Sequence, residues 1–153
     1  MVFSLFKKRK PFFTEPEQKQ IVEAVRQAEL RTSGEVRVFV ESFCPYVDAV
    51  DRAGEIFFRL EMDETVQHNA VLVYVALKDR QLAVFGDEGI HKKVGSEYWD
   101  REVEMMIRKF NTANYADGIS QCVLDIGQAL QHHFPYDKAT DKNELPDDIV
   151  FGK

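Results

Sequence analysis

Apolar residues recur along this chain in two rhythms, one with the repeat of a helix and one with the repeat of a strand. The first organised stretch opens at Thr14-Glu15-Pro16-Glu17, which has the form of a capping box. The hydroxyl takes the N-cap place, Glu17 stands three residues on, and Pro16 is tolerated in the first turn. Ile21, Val22, Val25 and Ala28 then fall on one helical face, and Ser33-Gly34 marks the stop. In EVRVFVE, residues 35–41, Val36, Val38 and Val40 alternate with Arg37 and Phe39, which predicts a strand with one buried face. Cys44-Pro45 breaks it. A second helix is expected from near Asp48, with Ala49, Ala53, Ile56, Phe57 and Leu60 inward.

The run AVLVYVAL, residues 70–77, has no polar alternation, as expected of a central strand covered on both faces. Lys78-Asp79-Arg80 is a polar turn, and Gln81 to Gly86 returns as a hairpin partner. The stretch IHKKVGSEYWD that follows GDEG reads as irregular. Trp99, Val103, Met106, Ile107 and Phe110 then share one helical face, and Ala116, Ile119, Val123, Ile126 and Leu130 another, with a break at Asn111 to Asn114. Beyond Phe134-Pro135 the chain is polar and irregular.

The link from the first strand through a helix to the second is long enough for a parallel crossover, whereas the hairpin is antiparallel. The expected fold class is α/β: a three-layer α-β-α sandwich with a small mixed sheet of three to four strands and helices on both faces. The domain would span residues 13–135, between a flexible basic and aromatic arm at 1–12 and a polar tail at 136–153.

Composition then acts by exclusion. A chain of 153 residues, 44% hydrophobic and 30% charged, suits one soluble domain with a real core. With 26 acidic against 20 basic residues the net charge is −6, so no basic face would dominate the field and nucleic-acid binding is not expected. Cys44 and Cys122 are far apart and have no CxxC partner, which fits a reduced cytosol, with a single bridge left open as the alternative. No segment approaches the roughly 20 apolar residues that span a bilayer. In the arm, Phe3, Leu5 and Phe6 precede Lys7 to Lys10, the reverse of a secretory signal. The arm reads as solvated chain or as a short anchor for a membrane surface of anionic lipid. A cytoplasmic monomer is the expectation.

Candidate chemistry gathers at Gly86-Asp87-Glu88-Gly89. The hairpin should bring His68 and Asn69 beside Asp87 and Glu88, and the next helix start adds Glu97 and Asp100. Hard cations take six to eight oxygens from carboxylates, amides and backbone. Asp87, Glu88, Asn69, Glu97 and Asp100 are therefore the candidate metal ligands. The other reading is an acidic turn whose charges face a helix N-terminus. His132 and His133 are adjacent, diverge by about 100° on a helix and cannot chelate together. There is no G-x-S-x-G elbow, P-loop or dinucleotide fingerprint. Cys122 reads as a small buried apolar residue.

FTEPEQKQIVEAVRQAELRTSGEVRVFVE, NAVLVYVALKDRQLAVFGDEGI and the closing helices with FNTANYADGI together resemble the TPM domain family, over about Phe13 to Phe134. The trailing NELPDDIVFG is similar to the ending of a compact branch without a membrane anchor. The resemblance implies binding of calcium or another divalent ion such as magnesium, acid phosphatase activity in some members, and accessory roles for membrane complexes in others. It also implies an Asp-Asn-Gly before the long strand, where this chain has His68-Asn69-Ala70. A Gly-x-Gly with an acid after the hairpin is matched in altered form by Gly86 to Gly89.

The reading preferred is a non-catalytic binding or scaffold module with a protein partner and a weak calcium or magnesium site at GDEG. The alternatives are a metal-assisted phosphatase of phosphomonoesters at the same edge, and a peripheral accessory factor of a membrane complex. A covalent phosphatase mechanism would rest on Asp87, with no identifiable acid partner.

Overall fold

The computed structural model describes residues 12–112, 114–136 and 148–152. Its elements run α1 (Glu15–Glu29), β1 (Glu35–Glu41), α2 (Ala49–Arg59), β2 (Ala70–Ala76), β3 (Gln81–Gly86), α3 (Glu88–Val94), α4 (Ser96–Asn111), α5 (Tyr115–His133) and β4 (Ile149–Phe151). The capping box forms: Thr14 accepts from the Glu17 amide, and Glu17 answers the Thr14 amide at 2.8 Å. Asp48 caps α2 by its side chain alone, accepting from the Val50 amide.

The sheet order is β3-β2-β1-β4. β1 runs parallel to β2, with Glu35 opposite Ala70, and β3 closes the hairpin antiparallel, with Val71 opposite Gly86. Both central strands are buried along their whole length. Val36, Val38, Val40, Val71, Val73 and Val75 face the layer of α1, α4 and α5, where Trp99 and Ile126 are also buried. Phe39, Leu72 and Tyr74 face the other layer, where α2 contributes Ala53, Ile56 and Phe57. This is the expected α-β-α sandwich. At roughly 1.5–3 kcal/mol per fully buried aliphatic side chain, the two faces of β2 are a large part of what holds it together.

Three expectations need correction. The stretch after GDEG is helical: α3 covers Glu88–Val94, Gly95 turns the chain at φ 81°, and α4 starts at Ser96. With seven residues and one fully buried side chain, Ile90, α3 is too short to show a periodic stripe. Ile107 is 43% exposed, because α4 buries the narrower stripe of Trp99, Met106 and Phe110, with Val103 only partly covered. The C-terminal stretch is not irregular throughout. Ile149–Phe151 joins the sheet parallel to β1, with Val38 opposite Ile149, and Gly152 donates to the Val40 carbonyl at 2.7 Å. Three residues carry no readable alternation, and the pairing comes from the free edge of β1.

Of the N-terminal arm, Phe12 is described; its ring stacks on Phe151 at 5.6 Å. Phe3, Leu5, Phe6 and Lys7 to Lys10 lie outside the described residues, as do residues 137–147. No helix among the described residues is long and apolar enough to cross a membrane.

Candidate functional site

The sheet end where β1 and β2 begin and β3 finishes is polar inside. Ser33, Thr65, Asn69 and Asp87 are all buried there. They are ordered by local chemistry. Thr65 accepts from the Asn69 amide at 3.3 Å, and Ser33 Oγ accepts from both Asn69 Nδ2 at 3.2 Å and Gln67 Nε2 at 3.1 Å. The Asp87 amide donates to the Ala70 carbonyl at 2.9 Å, which continues the hairpin by one residue and fixes where its carboxylate can reach.

That carboxylate is answered twice within the chain. Oδ1 accepts from the Glu88 amide at 2.8 Å as the cap of α3, and Oδ2 faces His68 Nδ1 at 3.3 Å. The Asp87 side chain is 10% exposed and that of His68 51%, so one partner is fixed and the other is free to swing away. His68 sits at φ 49°, a left-handed conformation uncommon for a residue with a Cβ. Asn69 Oδ1, in a residue 1% exposed, has no hydrogen-bond partner. An orphaned buried acceptor of this kind points to an unfilled role.

The two glycines of GDEG serve close packing. A Cβ on Gly86 would lie 2.3 Å from the Trp99 ring, and one on Gly89 would lie 2.3 Å from the Gln67 carbonyl oxygen. The turn is therefore the seam where α3 and α4 meet the hairpin.

Of the predicted ligands, the structure brings Asn69 and Asp87 to one sheet end. Glu88 is the exposed first residue of α3 and meets Asp87 through its backbone amide alone, and Glu97 and Asp100 are exposed on α4. Among the described residues no group of three or more His, Cys, Asp or Glu side chains is arranged to hold a metal ion. The orphaned Asn69 oxygen and the loosely held Asp87 Oδ2 suit an open cation site completed by water, and do not make an enclosed cage.

Sequence reading missed Ser33 and Thr65, whose contribution is a hydroxyl at long range with no motif to mark it. It also missed a buried ionic cluster at the opposite sheet end. Arg52 Nε and Nη2 donate to the two Glu41 carboxylate oxygens at 2.9 Å each, and Tyr74 Oη donates to Glu41 Oε2 at 2.5 Å. Burial, first, and then the bond to Glu41 push the Tyr74 hydroxyl well above its ordinary pKa; Arg52's own bond to Glu41 raises that of the Arg52 guanidinium. Arg52 Nη1 also pairs with Glu55 at 3.4 Å, so every charge of the cluster is answered from within the chain, which marks it as structural.

Comparison with known proteins adds kinship. A family model described as the TPM domain matches residues 7–129. The solution structure of the BA42 protein from the psychrophilic bacterium Bizionia argentinensis is 39% identical in sequence, with a TM-score of 0.85 over 95% of this chain and 99% of that one. The N-terminal domain of a protein from P. gingivalis shares the fold at 18% identity, with a TM-score of 0.62 over 82% of this chain and 83% of that one. Among curated proteins nothing matches.

Proposed function

The chain belongs to the TPM domain family, and from that premise we propose that it is a non-catalytic binding module whose sheet edge at Asp87 and Asn69 takes a divalent cation, calcium or magnesium, weakly. The observation that carries this reading is the state of the edge's oxygens. Asn69 Oδ1 is buried without a partner, and Asp87 Oδ2 is held by a half-exposed imidazole at 3.3 Å.

Rotation of His68 toward solvent would free Asp87 Oδ2 while Oδ1 keeps capping α3. A bound divalent ion would supply two positive charges to the carboxylate from the side that His68 vacates. His68 competes for the same oxygen, and most of the ligand shell must be water. Both features argue for a dissociation constant on the order of 10⁻⁴ to 10⁻³ M. Beside Asp87 stands one half-exposed imidazole, His68, and among the described residues no second carboxylate or cation joins the pair; recognition of a protein partner, not turnover, is the role proposed.

Melting with and without calcium tests this. An ion that binds only the folded chain raises Tm by mass action. The gain should vanish in Asp87→Asn and grow in His68→Gly, which removes the competitor and suits the positive φ. A phosphomonoester assay with divalent ions decides the enzyme alternative. Turnover that disappears in Asp87→Asn would overturn the binding-module reading.

A further inference from the structure

Away from the sheet edge, α3, α4 and α5 enclose an open groove of about 510 Å³, within the roughly 300–1,000 Å³ range of small-molecule sites. One end is acidic. Glu102 of α4 meets Asp125 of α5 and the Cys122 thiol side chain to side chain, which leaves its buried Oε1 without a hydrogen-bond partner. Burial first, and then the neighbouring Asp125, push the Glu102 carboxyl up to about 7, although Arg101 and the Cys122 thiol pull the other way. Asp125 itself is held in place: its Oδ1 accepts from Gln121 Nε2 at 2.9 Å, and its carbonyl accepts from Tyr98 Oη at 3.1 Å.

The other end is basic, with Lys93 of α3 and His132 and His133 of α5. The His133 imidazole is pushed down, by burial first and then by His132 and Lys93. Among the described residues Lys93, His132 and His133 make no ion pair with Glu102 or Asp125. Asp125 and His132 are seven positions apart on one helix, about 10 Å along its axis. Each end thus gathers groups of one kind, two carboxyls at one and an ammonium beside two imidazoles at the other, and the chain pairs neither end with the other. A ligand of one charge would relieve one end only.

We propose that this groove binds a small zwitterion, with its ammonium group between Glu102 and Asp125 and its carboxylate among Lys93, His132 and His133. Val94, Ala129 and Tyr98 line the same groove and offer apolar surface to an aliphatic span. The basic end coincides with the C-termini of α3 and α5, whose negative poles oppose a dianion more than a monoanion; this favours carboxylate over phosphate. The groove shares no residue with the Asp87 edge, so the two sites stand or fall separately.

The test is an amide NMR titration of the full chain with 6-aminohexanoate, alongside hexylamine and hexanoate as its two singly charged halves. The zwitterion should give saturable shifts at Lys93, Tyr98, Glu102, Asp125 and His132, with affinity at least about tenfold above either half. Glu102→Gln and Lys93→Ala should each weaken it by about tenfold, while the spectrum elsewhere stays that of the folded chain. Glu102→Gln removes an unfavourable charge and Lys93 is exposed, so both variants should fold. Equal affinity for the three probes, or no saturable shift in the groove, would overturn the assignment.

Discussion

Asp87 is a residue whose two oxygens do different work, and that separates its substitutions. Asp87→Ala removes both the α3 cap and the partner of His68, and should cost about 1 kcal/mol in urea unfolding. Asp87→Asn retains a good capping group, so its cost should be no more than a few tenths of a kcal/mol. Gly89→Ala should be worse than either, because its Cβ would meet the Gln67 carbonyl at 2.3 Å and backbone must move. At the opposite sheet end, Arg52→Met leaves Glu41, whose side chain is 6% exposed, with the Tyr74 hydroxyl but without its counter-charge. Removing one partner of such a pair costs on the order of 3–5 kcal/mol. The loss should change little with added salt, since screening acts weakly on buried pairs. These assignments were legible in the sequence to different degrees. Thr14 and Glu17 announce their cap by spacing alone, whereas Asp87 could be read as turn or ligand, and the pairing of Glu41 with Arg52 joins positions that no pattern connects.

At the scale of elements, legibility followed length. β1 and β2 carry seven-residue apolar patterns, and α5 a long stripe, and all three stand where the rhythm placed them. α3 and β4 are too short to leave a rhythm, and both form through contacts with something already built: a hairpin seam for α3, a free strand edge for β4. The α4–α5 pair contains a group whose effect depends on pH. Glu102 has an ordinary pKa of 4.5 and ionises near 7 in the fold. Below the first value both states are protonated and Glu102 costs nothing. As pH rises through the second, the fold must hold a charge that the unfolded chain solvates freely, so stability falls. Glu102→Gln should therefore stabilise the protein on the order of 2 kcal/mol at about pH 8, allowing for partial exposure, and the gain should shrink toward zero by about pH 4. Urea midpoints of both proteins across that range measure it. A gain independent of pH would place the effect in packing instead of charge.

For the molecule as a whole, the fold and the family follow from the core pattern, and the proposed function rests on a few oxygens at one sheet end. Glu97 and Asp100 illustrate why that part was hard to read. Their sequence distance from Asp87 suggested a cluster, but α3 intervenes and both are exposed on α4. What remains is Asn69 with its orphaned oxygen and Asp87 with a displaceable imidazole. The most direct test is a calcium titration followed by amide NMR, because it locates a site as well as detecting it. The account predicts saturable shifts at residues 68–69 and 86–89 and in the Asn69 side-chain amide, all lost in Asp87→Asn. Shifts confined to the acidic residues of the C-terminal stretch, with residues 68–69 and 86–89 silent, would contradict it.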